Sequence, residues 1–184
     1  QSYNTPAIRL LDQKIGSNRA KKFIAGLNMD TKKSYGGADA LGLNVSTADL
    51  AGAFSSLANN GIYHKPSYID KIQFADDSTR KIVNKKKRVM KHSTSYILLK
   101  MMEGVAYQNK DAKSAKISKF KGHAIKTGSV AYDDRMQAYL PDFAAKDGWI
   151  GGTTKDMSVV LWTGYDSPNK PGHYLSKQNT NQRQ

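Results

Sequence analysis

Four segments of the chain carry apolar residues at the three- and four-residue spacing that places them on one face of an α-helix. This pattern predicts helices over 5–15, 17–27, 46–60 and 93–108. The third has the clearest limits: Ser46 with Asp49 resembles a capping box, and its end falls at Asn60 and Gly61, a common helix stop. Ser17 is expected to cap the second helix.

Alternating and continuous apolar runs predict β-strands in other parts of the chain. A short β excursion is expected near 68–83, where Ile72 and Phe74 alternate with polar residues. After a lysine-rich linker, three longer strands are predicted over 122–130, 148–154 and 157–165. The last two should be joined by a tight turn through Lys155 and Asp156.

Two apolar surfaces are expected to be buried. The fourth helix places Ile97, Met101 and Val105 on one face, which suits a core position. The run from Val159 to Trp162 is continuously apolar, which is typical of a strand covered on both faces, here by the helices. The mixture of helices and strands predicts an α/β (α+β) fold.

Composition narrows the class of protein. The 184 residues suit one domain, 39% of them are hydrophobic, and the apolar runs are too short to span a membrane. The absence of cysteine excludes disulfides and thiolate chemistry, and the four histidines lack zinc-site spacing. We therefore expect a soluble globular piece with no metal site and no cofactor, any anchor lying outside this sequence.

The charge is strongly basic. Lysine and arginine number 29 against 15 acidic residues, a net charge of +14, and residues 76–121 alone carry +9. Such an excess attracts polyanions, although a lysine run is more often a solvated face. Only six of the basic residues are arginine, the residue most used for reading bases, so nucleic acid is not expected as a partner.

The sharpest local motif is Lys126, Thr127, Gly128 and Ser129 on the first long predicted strand. Alternation places Lys126 and Gly128 on one face and the two hydroxyls on the other. A cation and two hydroxyls on an edge strand could bind a carboxylate, and the missing side chain of Gly128 lets another backbone approach. The plainer interpretation is an ordinary strand with a bulge glycine.

A second motif, Ser2, Tyr3 and Asn4, lies directly before the first predicted helix. The same spacing recurs at Ser167 to Asn169, so the pattern alone carries little weight. Its position matters more, because a hydroxyl and an amide in a loop that leads into a helix can be held rigidly toward a cleft.

The two motifs together resemble the SxN and KTG motifs of the penicillin-binding proteins. The sequence around them adds to the likeness: it reads ALG at 40–42, VS at 45–46, LANNGIYHKP at 57–66, WIG at 149–151 and VLWTGYD at 160–166. This text is similar to class A penicillin-binding proteins over roughly 2–166. The resemblance implies the C-terminal part of a transpeptidase domain, with an antiparallel sheet flanked by helices and incomplete in this chain.

The resemblance also implies an activity, that of a serine-type D,D-transpeptidase acting on the D-Ala-D-Ala end of peptidoglycan stem peptides and acylated by β-lactams. By position, Ser2 would relay a proton to the leaving amine and Asn4 would hydrogen-bond the substrate amide. Lys126 would supply positive charge. Thr127 and Ser129 would hold the substrate carboxylate beside Gly128, with the Ser129 N–H in the oxyanion hole.

The chain departs from the family in one important respect: the SxxK nucleophile should precede SxN. Three later SxxK matches exist, at Ser78, Ser118 and Ser167, but each lies in a predicted turn, linker or tail that would not bury a lysine base. We expect a companion polypeptide carrying SxxK, and an inert fragment without it.

The resemblance places the parent enzyme at the extracytoplasmic face of a bacterial membrane, anchored outside this sequence, where anionic wall polymers are a further candidate partner. The transpeptidase portion would cover 1–166, and 167–184 would form a polar tail toward a missing closing helix. Two alternatives stay open: a D,D-carboxypeptidase or β-lactamase-type relative, and a non-catalytic basic module that binds wall polymers.

Overall fold

A computed structural model describes residues 3–29, 32–108 and 122–176. Its α-helices are α1 Asn4–Leu10, α2 Ser17–Gly26, α3 Thr47–Ala58, α4 His92–Gln108 and α5 Asp134–Gln137. A π-helical segment, Leu11–Ile15, continues α1, and Gly37–Ala40 form a 3₁₀ turn. The four predicted helices are confirmed. Gly16 lies between the π-helical segment and α2. Its φ of 76° is a left-handed value that ends the first helix.

The strands are β1 Ile62–His64, β2 Lys71–Gln73, β3 Thr79–Lys81, β4 Lys86–Arg88, β5 Ala124–Ala131, β6 Ala145–Thr153 and β7 Ser158–Gly164. The three long strands form one antiparallel sheet in the order β5-β6-β7, which confirms the predicted strands and their tight last turn. The predicted β excursion is the antiparallel pair β2–β3. The pairing of β1 with β4 was not predicted, because the lysine run shows no apolar alternation.

Helix α3 has the capping predicted for it. The Ser46 hydroxyl accepts from the Asp49 N–H at 3.0 Å and donates to the Asp49 carboxylate at 2.7 Å. At the other end Asn60 and Gly61 have φ values of 55° and 80°. A Cβ on Gly61 would lie 2.3 Å from the Met90 carbonyl oxygen, so only glycine fits there.

The expected cap of α2 is wrong. Ser17 is the first helical residue, the capping position belongs to Gly16, and no side chain caps the helix. The Ser17 hydroxyl instead accepts a hydrogen bond from the Tyr35 N–H at 2.8 Å. It therefore ties the following loop to the helix.

Helices α3 and α4 cover one face of the long sheet. Helix α3 packs against β6, β7 and α4, and α4 packs against β5. The closest approach is at Gly151, where a Cβ would lie 2.6 Å from the Phe54 ring. On the opposite face Val159 and Leu161 are 55% and 58% exposed. The helices of the described residues thus leave one face of β7 open, contrary to the expectation of cover on both faces.

The expected inner face of α4 is also wrong. Ile97 and Met101 are exposed by 58% and 68%, whereas the small residues Ser95 and Ala106 are buried. The Ser95 hydroxyl donates to the Leu57 carbonyl of α3 at 2.9 Å. Small side chains on this face let α4 approach α3 closely, and the larger apolar face turns outward.

The polar segment after β7 is packed as far as residue 176. Leu175 is buried and forms an antiparallel bridge to Ala145 at the start of β6. This part of the predicted tail is therefore anchored and not frayed, while 177–184 lie outside the described residues. Within the described part of the chain, no helix is both long and apolar enough to cross a bilayer.

Candidate active site

Strand β5 presents the KTGS motif on the outer strand of the described sheet. Its register with β6 pairs Lys126 with Gly151, and Thr127 with Ile150. Directly opposed residues share a face, so Lys126 projects on the helix-covered side and Thr127 on the opposite side. On an outer strand, half of the backbone N–H and C=O groups point away from the neighbouring strand. An extended ligand could pair with this edge.

Lys126 has an exposed side chain and a lowered pKa. Its Nζ donates to the Thr127 carbonyl oxygen at 2.5 Å. Partial withdrawal from water lowers the pKa of its ammonium below the ordinary 10.5. The charged form of Lys126 is thus less favoured than that of a free lysine, and its ammonium lies beside the backbone of its own strand.

Gly128 has room for a larger residue as far as this chain is concerned. A Cβ at this position would lie 3.5 Å from the Trp149 Cβ, an ordinary van der Waals distance. Trp149 in turn packs against Trp162, with ring centroids 6.4 Å apart. Packing within the described residues therefore does not require a glycine at position 128. A ligand that approaches the strand closely could require one.

The SxN residues fall on a different element. Ser2 lies outside the described residues, and Asn4 is the exposed first residue of α1. Helix α1 packs against Leu11–Ile15 and Gly37–Ala40, whereas β5 packs against α4 and pairs with β6. The structure gathers Lys126 to Ser129 on one strand and leaves Asn4 on a separate element.

The later SxxK matches have no buried setting where the structure describes them. Ser78 lies in the turn between β2 and β3 and donates to the Asp76 carboxylate at 2.6 Å. Lys81 ends the exposed strand β3. Ser167 lies in the loop after β7, and Ser118 is outside the described residues. Neither described match has the buried lysine that an activated serine requires.

A clasp at the end of β5 was missed in the sequence. The Tyr132 hydroxyl lies 2.8 Å from the carbonyl oxygens of both Pro168 and His173. Burial raises the pKa of this hydroxyl. The His173 Nδ1 is 2.9 Å from the Ser167 carbonyl oxygen, and its ring stacks on Tyr165. The proline and glycine of this loop predict turns. The sequence near Tyr132 does not indicate that its hydroxyl bonds to residues 36 or more positions away.

Two cavities among the described residues are not lined by this motif. One of about 210 Å³ is bounded by Leu99, Glu103 and Thr153, and another of about 430 Å³ lies near β1 and β4. Neither is lined by residues of the KTGS motif. The described residues hold no cluster of three or more histidine, aspartate or glutamate side chains that could bind a metal ion. The candidate site is thus an open strand edge.

Comparison with known proteins matches this chain to one family. The family described as penicillin binding protein transpeptidase domain matches residues 1–178. The chain is 35% identical to penicillin-binding protein 1A of Streptococcus oralis, over an alignment that covers 93% of the chain and 28% of that protein. It is 33% identical to penicillin-binding protein 1A of Streptococcus pneumoniae, covering 93% of the chain and 25% of the relative. The chain thus spans about a quarter of the length of these relatives.

Solved structures share the fold at lower identity. Penicillin-binding protein A of Mycobacterium tuberculosis, as an imipenem acyl-enzyme complex, aligns with a TM-score of 0.68 and 15% identity over 89% of this chain and 41% of that one. Penicillin-binding protein 3 of the same organism, complexed with ampicillin, aligns with a TM-score of 0.66 and 16% identity over 88% of this chain and 42% of that one. The predicted fold class is confirmed.

Proposed function

This chain belongs to the penicillin-binding protein transpeptidase family, and we propose that it supplies the carboxylate-binding strand of a peptidoglycan D,D-transpeptidase. The donor is a stem peptide that ends in D-Ala-D-Ala. A serine attacks the carbonyl carbon between the two alanines, the C–N bond breaks, and the terminal D-alanine leaves as the protonated amine. An acceptor amine then attacks the ester and releases the serine. A β-lactam acylates the same serine.

The observation that supports this proposal is the placement of the KTGS motif on an outer strand. The edge of β5 can pair with an extended peptide, and a hydroxyl at Thr127 can hold its terminal carboxylate. Ser129 would contribute its hydroxyl to the same group and its N–H to the oxyanion hole. At Gly128 the absent side chain allows the peptide backbone to come close.

Lys126 provides the positive charge of the proposed site. Its ammonium attracts the substrate carboxylate and disfavours protonation of groups around it. The proposed proton path to the leaving amine runs through Ser2, while Asn4 hydrogen-bonds the substrate amide. These two roles rest on the match to the family motif, and Asn4 lies where that motif meets a helix start.

We further propose that the nucleophilic serine and its lysine base belong to a segment outside this sequence. The exposed positions of Ser78 and Lys81 support this, because an activated serine needs a lysine base held in a buried setting. The parent enzyme would act at the outer face of the bacterial membrane, held there by an anchor outside this sequence.

The test is covalent labelling of the intact protein by a fluorescent penicillin. Lys126→Ala should slow labelling by roughly 10²- to 10³-fold, the usual effect of removing one electrostatic contact to a reacting acyl group. Lys155→Ala is the matched control, since Lys155 is an exposed lysine in the turn after β6 and should label at the unchanged rate. Equal labelling of the Lys126→Ala protein would refute the site assignment.

A further inference from the structure

A cavity of about 430 Å³ separates the end of α2 from the ribbon of β1 and β4. Gly26 and Asn28 form the helix side, and the ribbon side includes Tyr63, Lys65, Lys85, Lys86 and Lys87. No residue of the KTGS motif lines this cavity, and β1 and β4 form a sheet separate from that of β5.

Strand register gathers three of its lysines on one face of the ribbon. Tyr63 pairs with Lys87, and the Lys65 N–H donates to the Lys85 carbonyl oxygen at 3.2 Å, which continues the pairing by two residues. Opposed residues and residues two apart share a face. Lys65, Lys85 and Lys87 therefore point to the side of Tyr63, and we call these three residues the lysine groove.

The charge of the lysine groove is not compensated by acidic side chains. No acidic residue lines the cavity, and in the parts of the chain that the structure describes, none of the three ammonium groups forms a salt bridge. The adjacent end of α2 contributes only about half a negative elementary charge, against three full positive charges. Arg88 is different, because its guanidinium bonds the Asn60 carbonyl at 2.9 Å and serves the fold.

We propose that the lysine groove binds a flexible polyol-phosphate chain. Lysine suits phosphate as a mobile point charge and makes no demand for bidentate geometry. Lys85, directly before β4, and Lys87 within it are two residues apart, roughly 6.7 Å between their Cα atoms in extended backbone. Their flexible side chains can therefore reach neighbouring phosphates of one chain.

The shape of the groove favours this ligand over two other polyanions. A lipid headgroup surface is flat, whereas these lysines line a concavity between a helix end and a ribbon. Single-stranded nucleic acid is held by bases stacked on accessible aromatic rings. The aromatic ring at the groove is that of Tyr63, which is only 3% exposed. A slender polyanion without bases fits the concave shape and needs no exposed aromatic ring.

The experiment measures binding of poly(glycerol phosphate) to the intact protein over a range of salt concentrations. The triple variant Lys65→Gln, Lys85→Gln, Lys87→Gln should weaken binding about 100-fold at low salt, on the order of fivefold for each lysine. Its plot of log affinity against log salt should also become shallower by about two, because fewer counterions are released.

The matched control removes the same charge elsewhere: Lys71→Gln, Lys81→Gln, Lys155→Gln, three exposed lysines that do not line this cavity. It should weaken binding by less than about threefold. Both triple variants should keep their penicillin labelling rate, which verifies folding and separates this proposal from that of the active site.

Equal loss in the two variants would overturn the proposal, since it would show general charge attraction. A groove variant that loses binding to phosphatidylglycerol vesicles or to oligothymidine, yet retains poly(glycerol phosphate) binding, would also overturn it.

Discussion

Lys126 is the proposed source of positive charge in the candidate site, and its surroundings make that charge less favourable. Partial withdrawal from water lowers the pKa of its ammonium, and the 2.5 Å hydrogen bond to the Thr127 carbonyl helps hold that group in place. The motif in the sequence singles out Lys126 as a candidate site residue. It does not predict that the pKa of this lysine is lowered, because that depends on what packs around it. The lowered pKa brings the loss of charge closer to the pH of an assay.

The rate of penicillin labelling should therefore fall as the pH rises toward 10.5, because Lys126 loses its proton below the ordinary lysine value. Lys126→Arg keeps its charge, since arginine has a pKa above about 12, and should lack this fall even if its rate at neutral pH is lower. The measurement is the labelling rate of the two proteins between about pH 7 and pH 10.5.

Stability gives an independent check with a defined sign. The folded state releases the Lys126 proton at lower pH than the unfolded state, so this group makes stability rise with pH in the window just below 10.5. The melting temperature of the native protein should rise relative to that of Lys126→Gln across this window. Identical rate profiles for the lysine and arginine proteins would contradict the assignment.

Strands β5 and β6 use glycine for two different reasons. Gly151 lets Phe54 of α3 approach the sheet, since a Cβ would lie 2.6 Å from the ring. Gly128 faces an ordinary 3.5 Å distance from Trp149. The first glycine is required by the fold, and the second is explained by the proposed ligand.

Gly128→Ala in the intact protein should leave stability unchanged or raise it by up to about 1 kcal/mol, because alanine restricts the unfolded chain. Its penicillin labelling should nevertheless slow, since the new methyl group intrudes on the approaching ligand. Gly151→Ala is the counterpart and should lose about 1–3 kcal/mol through overpacking against Phe54. Thermal melts and labelling rates of both variants test this; normal labelling of Gly128→Ala would remove the proposed role.

At the scale of the whole fold, the described residues leave apolar surface exposed. Val159 and Leu161 project from the sheet face opposite α3, and Ile97 and Met101 project from α4. Scattered exposed apolar residues are common, but a sheet face normally packs against a second layer. The proposed companion segment with the nucleophile is a suitable occupant of the sheet face.

The 184-residue chain alone should remain unlabelled by fluorescent penicillin, and a mixture with the companion should become labelled on the companion's serine. Leu161→Lys should abolish labelling of the mixture, because a charge would then lie in the joined sheet layer. Tyr139→Lys changes a loop residue that is 91% exposed and should have no effect. Label on Ser78, Ser118 or Ser167 of the isolated chain would contradict this account.

Local patterns were sufficient for the helices and the three long strands. The Ser46 cap, the left-handed Gly61 and the apolar periodicity of α3 act over a few residues, so their signals can be read without knowing the fold. The KTGS motif and its alternation across the two faces of β5 were equally local, and the register with β6 matches that alternation. The catalytic roles of these residues stay predictions.

Contacts between distant residues decided the remaining features. The outward turn of Ile97 depends on how closely Ser95 lets α4 approach α3, and apolar spacing alone offers two possible faces. The Tyr132 clasp and the β1–β4 ribbon join residues far apart in the chain, for which backbone propensity has no signal. The lysine groove belongs to this class, because charge counts along a sequence do not tell which lysines share a face and which helix end faces them.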